Sequence, residues 1–235
     1  MSVFHSPLAT ATLFHLGPIA ISTPVVTTWV VMAILVTGAA WCSRRLSLIP
    51  SKAQTVLELL VGTIDDQIRD TMRADPGKYR ALIGTLFVFI LISNVSSLVP
   101  GVEPPTAHVE TDAALALIVF IATLFYGVRT RGLGGYLATF AEPSWIMIPL
   151  NLVEQITRTF SLMVRLFGNV MSGVFVVGIV LSLAGLFVPI PLMALDLLTG
   201  AVQAYIFAVL AMVFIGAALP DDAPAATQDK QQGIS

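Results

Sequence analysis

Charged residues are scarce in this chain. Asp, Glu, Lys and Arg make up 11% of its 235 residues, whereas soluble domains carry about 25%. Hydrophobic residues make up 56%. This balance excludes a soluble enzyme, gives no reason to expect a nucleic-acid partner, and indicates an integral membrane protein surrounded by lipid.

Cysteine and the common cofactor motifs are also missing. The one cysteine, Cys42, excludes an internal disulfide framework and offers no metal-site spacing. The glycines at 132–135 are the nearest approach to a phosphate-binding loop, but no Lys follows them. Residues 1–23 hold no Lys or Arg, so they do not resemble a cleaved signal peptide. We predict no cofactor, no metal and no catalysis by the chain alone.

Long apolar runs fill most of the chain, which we treat as a single membrane domain, 1–235. The predicted class is an all-α integral membrane protein with about five transmembrane helices, the last two of which, in the C-terminal half, are the longest. The predicted spans are 25–41, 81–99, 113–128, the long region 144–188, and 192–219, followed by a polar tail at 220–235.

Two of these segments are unusual. The region 144–188 exceeds the roughly 20 residues of an upright span, so it tilts, begins with a short separate segment near Pro149, or both. The segment 51–74 is amphipathic and too polar to span. We expect it to lie at the membrane interface or in the cytoplasm, or to pack on another subunit.

Lys and Arg are distributed unevenly among the connections. Residues 42–80 hold seven of them, 129–142 hold two, and the acidic loop 102–112 holds none. By the positive-inside rule, the first two connections face the cytoplasm and the acidic loop faces outward. This arrangement predicts an outer N-terminus and a cytoplasmic C-terminus.

One positive charge stands inside the long apolar region. Arg165 has no other ionisable residue within six positions before it, and none after it until Asp196. An arginine near the bilayer centre costs about 2.5–3.5 kcal/mol on insertion scales. A charge kept at that cost favours a functional residue facing a cavity or a partner. The structural alternative is a buried ion pair with Glu154 or Asp196.

Helical spacing predicts a polar stripe around Arg165. Steps of three and four residues place Ser161, Asn169 and Ser172 on its face, with Glu154 further along. A stripe of this kind is typical of the wall of an aqueous path.

A second stripe occupies the last span. Asp196, Thr199 and Gln203 fall on one helical face. Asp196 would exchange ions with the outer solution; alternatively, it is a helix N-terminal carboxylate stabilised by the helix dipole. Gln203 also suits a hydrogen bond between helices.

The motif 161–173 resembles subunit a of the F-type ATP synthase, the membrane stator subunit of an ion-driven rotary motor. Further similarity covers 85–94, 105–107 and 203–207, and extends in order from about residue 25 to 219. The resemblance implies that the last two segments, in the C-terminal half, form a long tilted helix pair lying against a rotating ring of c subunits. It further implies ion entry and exit through two half-channels.

The resemblance also assigns roles to residues. Arg165 matches the arginine that meets the ion-carrying carboxylate of the ring, and Asn169 and Gln203 match positions beside it. With the two stripes, the predicted ion-translocation residues are Arg165, Asn169, Ser172, Asp196, Thr199 and Gln203. Candidates for the inner half-channel are Asn94, Glu154 and Ser161.

The resemblance implies a set of partners and a location. The partners are the c-ring, the b subunit of the peripheral stalk, the rest of the ATP synthase complex, and lipid. The location is a bacterial inner membrane. Val174 stands where many family members have Glu or His, and Asp196 where His or Glu is usual. The coupling ion is therefore left as a proton or sodium.

Two functions of other classes are weighed against this one. A stand-alone secondary transporter would show internal repeats or paired broken helices, and we find neither in the sequence. A purely structural scaffold would not explain Arg165 or the two stripes.

Overall fold

The structure is a computed structural model that describes residues 12–16, 19–44, 52–98, 104–141, 147–184 and 188–219. Helices dominate it, and the predicted all-α class is confirmed. Besides the helices, the described residues include one antiparallel pair of short strands, β1 (Thr12–Leu16) and β2 (Ile19–Ser22). The helices are α1 (Thr23–Arg44), α2 (Lys52–Met72), α3 (Pro76–Val95), α4 (Val109–Ala141), α5 (Met147–Ala184) and α6 (Pro189–Ala218).

Four of the described helical segments are long and apolar enough to cross a membrane. They are Pro76–Leu98, Val109–Gly132, Met147–Leu183 and Pro189–Ala218. A shorter apolar stretch, Val25–Trp41 in α1, coincides with the first predicted span. Helix α2 is amphipathic and is not one of the apolar segments. Four spans and one shorter apolar helix agree with the approximate number predicted.

Helix α4 continues beyond the predicted end of its span. The glycine-rich stretch after Arg131 was expected to be a connector, but it is helical to Ala141 with a kink at Gly132. Gly132 has φ 74° and ψ 163°, a conformation that glycine adopts without a Cβ clash. Gly132 therefore interrupts the helical geometry and separates two helical stretches, 109–131 and 133–141, that follow each other directly.

Helix α5 shows how the long apolar region is built: in the described residues it is one continuous helix, without a separate segment before Pro149. It begins at Met147, so Pro149 lies in its first turn, where proline is tolerated. Pro149 therefore does not mark a break. The helix has 38 residues and is about 57 Å long, nearly twice the roughly 30 Å of a bilayer's hydrocarbon core. A helix of that length keeps its apolar surface in lipid only when it is strongly inclined.

Helix α6 lies at the centre of the molecule and packs against α2, α3, α4 and α5. Small residues line much of its buried face, including Ala204, Ala208 and Ala211. Small side chains let neighbouring helices approach closely, which is the usual basis of packing between membrane helices. Hydrogen bonds reinforce this packing: the Tyr205 hydroxyl donates to Gln67 Oε1 of α2 at 3.2 Å.

Helix α5 is covered much less than the other spans. Only 11% of its most apolar window is buried, against 33–39% in α3, α4 and α6. Its buried side is a narrow line formed by Leu162, Leu166 and Val170. Large exposed apolar side chains cover the rest of α5: Leu150, Leu152, Val153, Ile156, Phe160, Val164, Phe175, Val176 and Ile179. The chain therefore leaves one long helix face for lipid or another protein.

Candidate functional site

Arg165 projects from the exposed side of α5. None of the ion pairs between described residues includes it. Glu154, one of its two possible partners, pairs instead with Arg158, one turn away on the same helix. The buried ion pair considered as an alternative is therefore not what the structure shows. The charge of Arg165 is available to a group outside the chain.

A groove of about 500 Å³ runs between α5 and α6 and contains Arg165. Glu154, Arg158 and Ser161 lie in the same groove, so the first stripe does form a continuous polar line toward the start of α5. Leu210 and Phe214 of α6 form the opposite wall, and the Arg158 guanidinium carbon lies 5.5 Å from the centroid of the Phe214 ring.

The other end of the first stripe is partly covered. The Ser172 hydroxyl is exposed and donates to the Asn169 carbonyl at 2.8 Å. Asn169 is half-buried, and its Nδ2 group has no hydrogen-bond partner among the described residues. A buried donor left without a partner costs about 1–3 kcal/mol. We therefore expect Asn169 to bind a group from water or from another subunit.

Asp196 lies at the contact between α5 and α6. Its carboxylate is so close to Gly173 that a Cβ at position 173 would overlap it. The Ser97 hydroxyl lies 3.4 Å from Asp196 Oδ2, at the long limit of a hydrogen bond. The structure thus brings the second stripe against the far end of the first stripe.

The position of Asp196 in its helix excludes the dipole explanation. Helix α6 begins at Pro189, so Asp196 is its eighth residue. The dipole effect is confined to the first turn. Thr199, one turn further, is exposed and donates to the Asp196 carbonyl at 3.0 Å.

A buried hydrogen-bond chain connects α3, the turn before α4, and α6. The Thr106 hydroxyl donates to Asn94 Oδ1 at 2.7 Å, and Asn94 Nδ2 donates to the Gly200 carbonyl at 2.8 Å. We call Thr106, Asn94 and Gly200 the polar bridge. A Cβ at Gly200 would lie 3.0 Å from Asn94 Cβ, so the close approach depends on glycine. Gln203, one turn further, is buried and its Nε2 lacks a partner among the described residues.

This arrangement separates the three candidates for the inner half-channel. Asn94 joins the Asp196 neighbourhood through the polar bridge and Ser97. Glu154 is 19 residues before Gly173 on α5, about 28 Å along the helix. Asn94 therefore lies at the opposite end of the stripe from Glu154 and Ser161, and the half-channel roles of all three stay predictions.

The sequence analysis missed one buried carboxylate. Asp112 was treated as part of the acidic loop 102–112, but it lies in the first turn of α4 and is 0% exposed. Neither of its carboxylate oxygens has a hydrogen-bond partner in the described part of the chain. Its spacing to Ala116, Val119 and Thr123, which form the buried face of α4, was the available signal.

The sequence resembles known proteins along most of its length. The sequence profile of the family described as ATP synthase A chain matches residues 25–216. The chain is 58% identical to "ATP synthase subunit a 2" of Bradyrhizobium sp. (strain BTAi1), over 91% of this chain and 96% of that protein. It is 45% identical to "ATP synthase subunit a" of Albidiferax ferrireducens, covering 86% of this chain and 88% of that protein. It is 47% identical to "ATP synthase subunit a 2" of Acaryochloris marina, covering 86% and 87%.

Proposed function

The chain belongs to the ATP synthase subunit a family, and from this premise we propose how its residues move ions. As a member of that family, it is a membrane subunit of the ATP synthase complex, the stator subunit of the Fo sector. We place it in a bacterial inner membrane, beside the c-ring and the b subunit, with its N-terminus outside. It conducts ions between the two sides and the ring, and other subunits make the ATP.

One observation carries the proposal: Arg165 is an exposed charge with no ion-pair partner among the described residues, on the least covered of the four long apolar helices. A ring of carboxylates passing the exposed side of α5 would meet this guanidinium. At 4 Å and an effective dielectric constant near 20, opposite charges attract by about 4 kcal/mol. The attraction favours the ionised carboxylate, so the ring releases its ion as it passes Arg165. A permanently charged guanidinium also blocks a direct leak past this point.

Two polar regions lie on either side of Arg165 along α5 and serve as the half-channels. Asp196, Thr199 and Gln203, with Ser172 and the polar bridge, form the outer path, because the acidic loop at this end is predicted to face outward. Glu154 and Ser161 lie in the groove at the other end and form the inner path. Asn169 stands between the two. Each elementary charge that crosses 100 mV contributes about 2.3 kcal/mol to the rotation.

The test is ATP-driven pumping by the whole complex in sealed vesicles, with Arg165→Ala compared with wild type. Loss of an attraction of about 4 kcal/mol corresponds to a rate loss of about a thousandfold, with assembly retained. Arg129→Ala is the matched control, because Arg129 is an exposed arginine on α4 that stacks on Phe125.

Normal coupled pumping by the Arg165→Ala complex would show that Arg165 is not needed for ion transport and would contradict the proposed mechanism. In the same vesicles, a protonophore is expected to collapse the wild-type gradient without a sodium requirement, since we take the proton as the coupling ion. Sodium-dependent pumping that survives the protonophore would assign sodium instead.

A further inference from the structure

Asp112 is a buried carboxylate without the partners that such a group needs. It is 0% exposed, and both of its oxygens lack a hydrogen-bond partner among the described residues. An ionised carboxylate in that state costs several kcal/mol. The dipole of α4 stabilises a carboxylate in its first turn by about 0.3–1 kcal/mol at an ordinary surface position and by at most about 2 kcal/mol in a favourable one. This is smaller than the cost of burying the ionised carboxylate. Among the described residues nothing offsets that cost, so we expect the carboxylate to hold a proton or another cation.

The location of Asp112 connects it with the outer path. Its backbone N–H donates to the His108 carbonyl at 3.3 Å, directly after the turn Pro105–Ala107. That turn packs against α3, α4 and α5, and its Thr106 belongs to the polar bridge that ends at Gly200 of α6. Asp196 is one helical turn before Gly200. Asp112 is thus six residues after Thr106 at one end of the polar bridge, and Asp196 is four residues before Gly200 at the other end.

We propose that Asp112 is a second cation-accepting carboxylate of the outer path, which takes the coupling ion from the outer solution and passes it toward Asp196. The inference rests on the proposed function. For a proton, one O–H bond to Asp112 breaks and one to Asp196 forms, directly or through water, and the total charge is unchanged. For sodium, the ion leaves the Asp112 oxygens for the oxygens beyond them. No other bond changes, and no further reactant is needed.

The first test asks whether water reaches position 112 from outside. Asp112→Cys is made in a Cys42→Ser background, so that it carries the chain's only thiol, and Thr123→Cys on the same buried face of α4 is the matched control. Both complexes are treated with a membrane-impermeant thiol reagent on the outer side, and labelling is followed by mass. We expect Asp112→Cys to react at least about tenfold faster, because the reagent attacks a thiolate that forms where water is present.

Equal, slow labelling at the two positions would overturn the proposal, because a dry position cannot receive an ion from the outer solution. This measurement does not depend on pumping. It therefore separates failure of the inference from failure of the proposed function.

The second test asks whether the carboxylate itself is needed. Asp112→Asn is expected to slow ATP-driven pumping by about a hundredfold, the low end of the effect of a positioned proton-transfer group. Glu110→Gln, an exposed neighbour in the same turn, should pump at the wild-type rate, and Asp112→Glu should recover most of the activity. An Asp112→Asn complex that pumps normally would show that the group is structural, as would an Asp112→Glu complex that assembles but pumps no better than Asp112→Asn.

Discussion

At the scale of single residues, Gly173 permits the two polar stripes to meet. The Asp196 carboxylate occupies the space that any side chain at position 173 would need. Other glycines of α5, such as Gly178, have no neighbouring atom within 4 Å of that space. Glycine is therefore required at position 173 by the close approach of Asp196, whereas no neighbouring atom requires glycine at position 178.

Gly173→Ala is predicted to displace the Asp196 carboxylate or to push α5 away from α6. Overpacking of this kind costs about 1–3 kcal/mol, so we expect a lower thermal midpoint for the purified complex and slower pumping. Gly178→Ala provides the control and should be neutral or slightly stabilising, because alanine is the better helix former. If the two variants were equally stable and active, the close contact at Gly173 would be unimportant.

At the scale of elements, the polar bridge joins three segments that are far apart in sequence. Asn94, at the end of α3, is 12 residues from Thr106 and 106 residues from Gly200. It is only 4% exposed, so both of its hydrogen bonds form away from water. The bridge therefore sets the position of α6, and with it Asp196, relative to the turn that precedes α4.

Asn94→Leu keeps roughly the volume of the side chain and removes both hydrogen bonds. It leaves the buried Thr106 hydroxyl without this partner, at about 1–3 kcal/mol, whereas the Gly200 carbonyl keeps the hydrogen bond within α6. We expect a clearly lower thermal midpoint of the complex, whereas Val95→Leu at the exposed neighbouring position should change it little. An unchanged midpoint for Asn94→Leu would mean that the bridge does not hold the helices together.

At the scale of the whole molecule, α5 leaves most of its apolar surface exposed. Its most apolar window is only 11% buried, although the helix carries the charge on which the proposed mechanism depends. Under the proposed function, the c-ring covers the side of α5 that carries Arg165. The other exposed apolar side chains would face lipid.

Cysteine cross-linking tests this arrangement in the intact complex. With Cys42 replaced, Val164→Cys, which is 46% exposed, is expected to form a disulfide with a cysteine placed beside the ring carboxylate. Leu166→Cys, which is 0% exposed, should form none because it faces the interior. Cross-linking at 166 with none at 164 would contradict the proposal, because the ring would then lie on the side of α5 opposite Arg165.

The sequence by itself determined the class of the molecule, the approximate number and positions of its apolar helices, and the family. It also placed Arg165 on an exposed polar stripe. These features are local, because hydropathy, charge placement and helical spacing depend on residues within a few turns of one another. The roles assigned to the stripe residues stay predictions.

Only the tertiary structure decided which polar residues lie together. The contacts of Asn94 with Gly200 and of Ser97 with Asp196 join residues 106 and 99 positions apart, and no periodicity within one helix specifies such pairs. The contact of Asn94 with Gly200, the close approach at Gly173 and the burial of Asp112 were missed for this reason. Burial and partners belong to the packed arrangement of several helices, whereas spacing along one helix reports only which face a residue occupies.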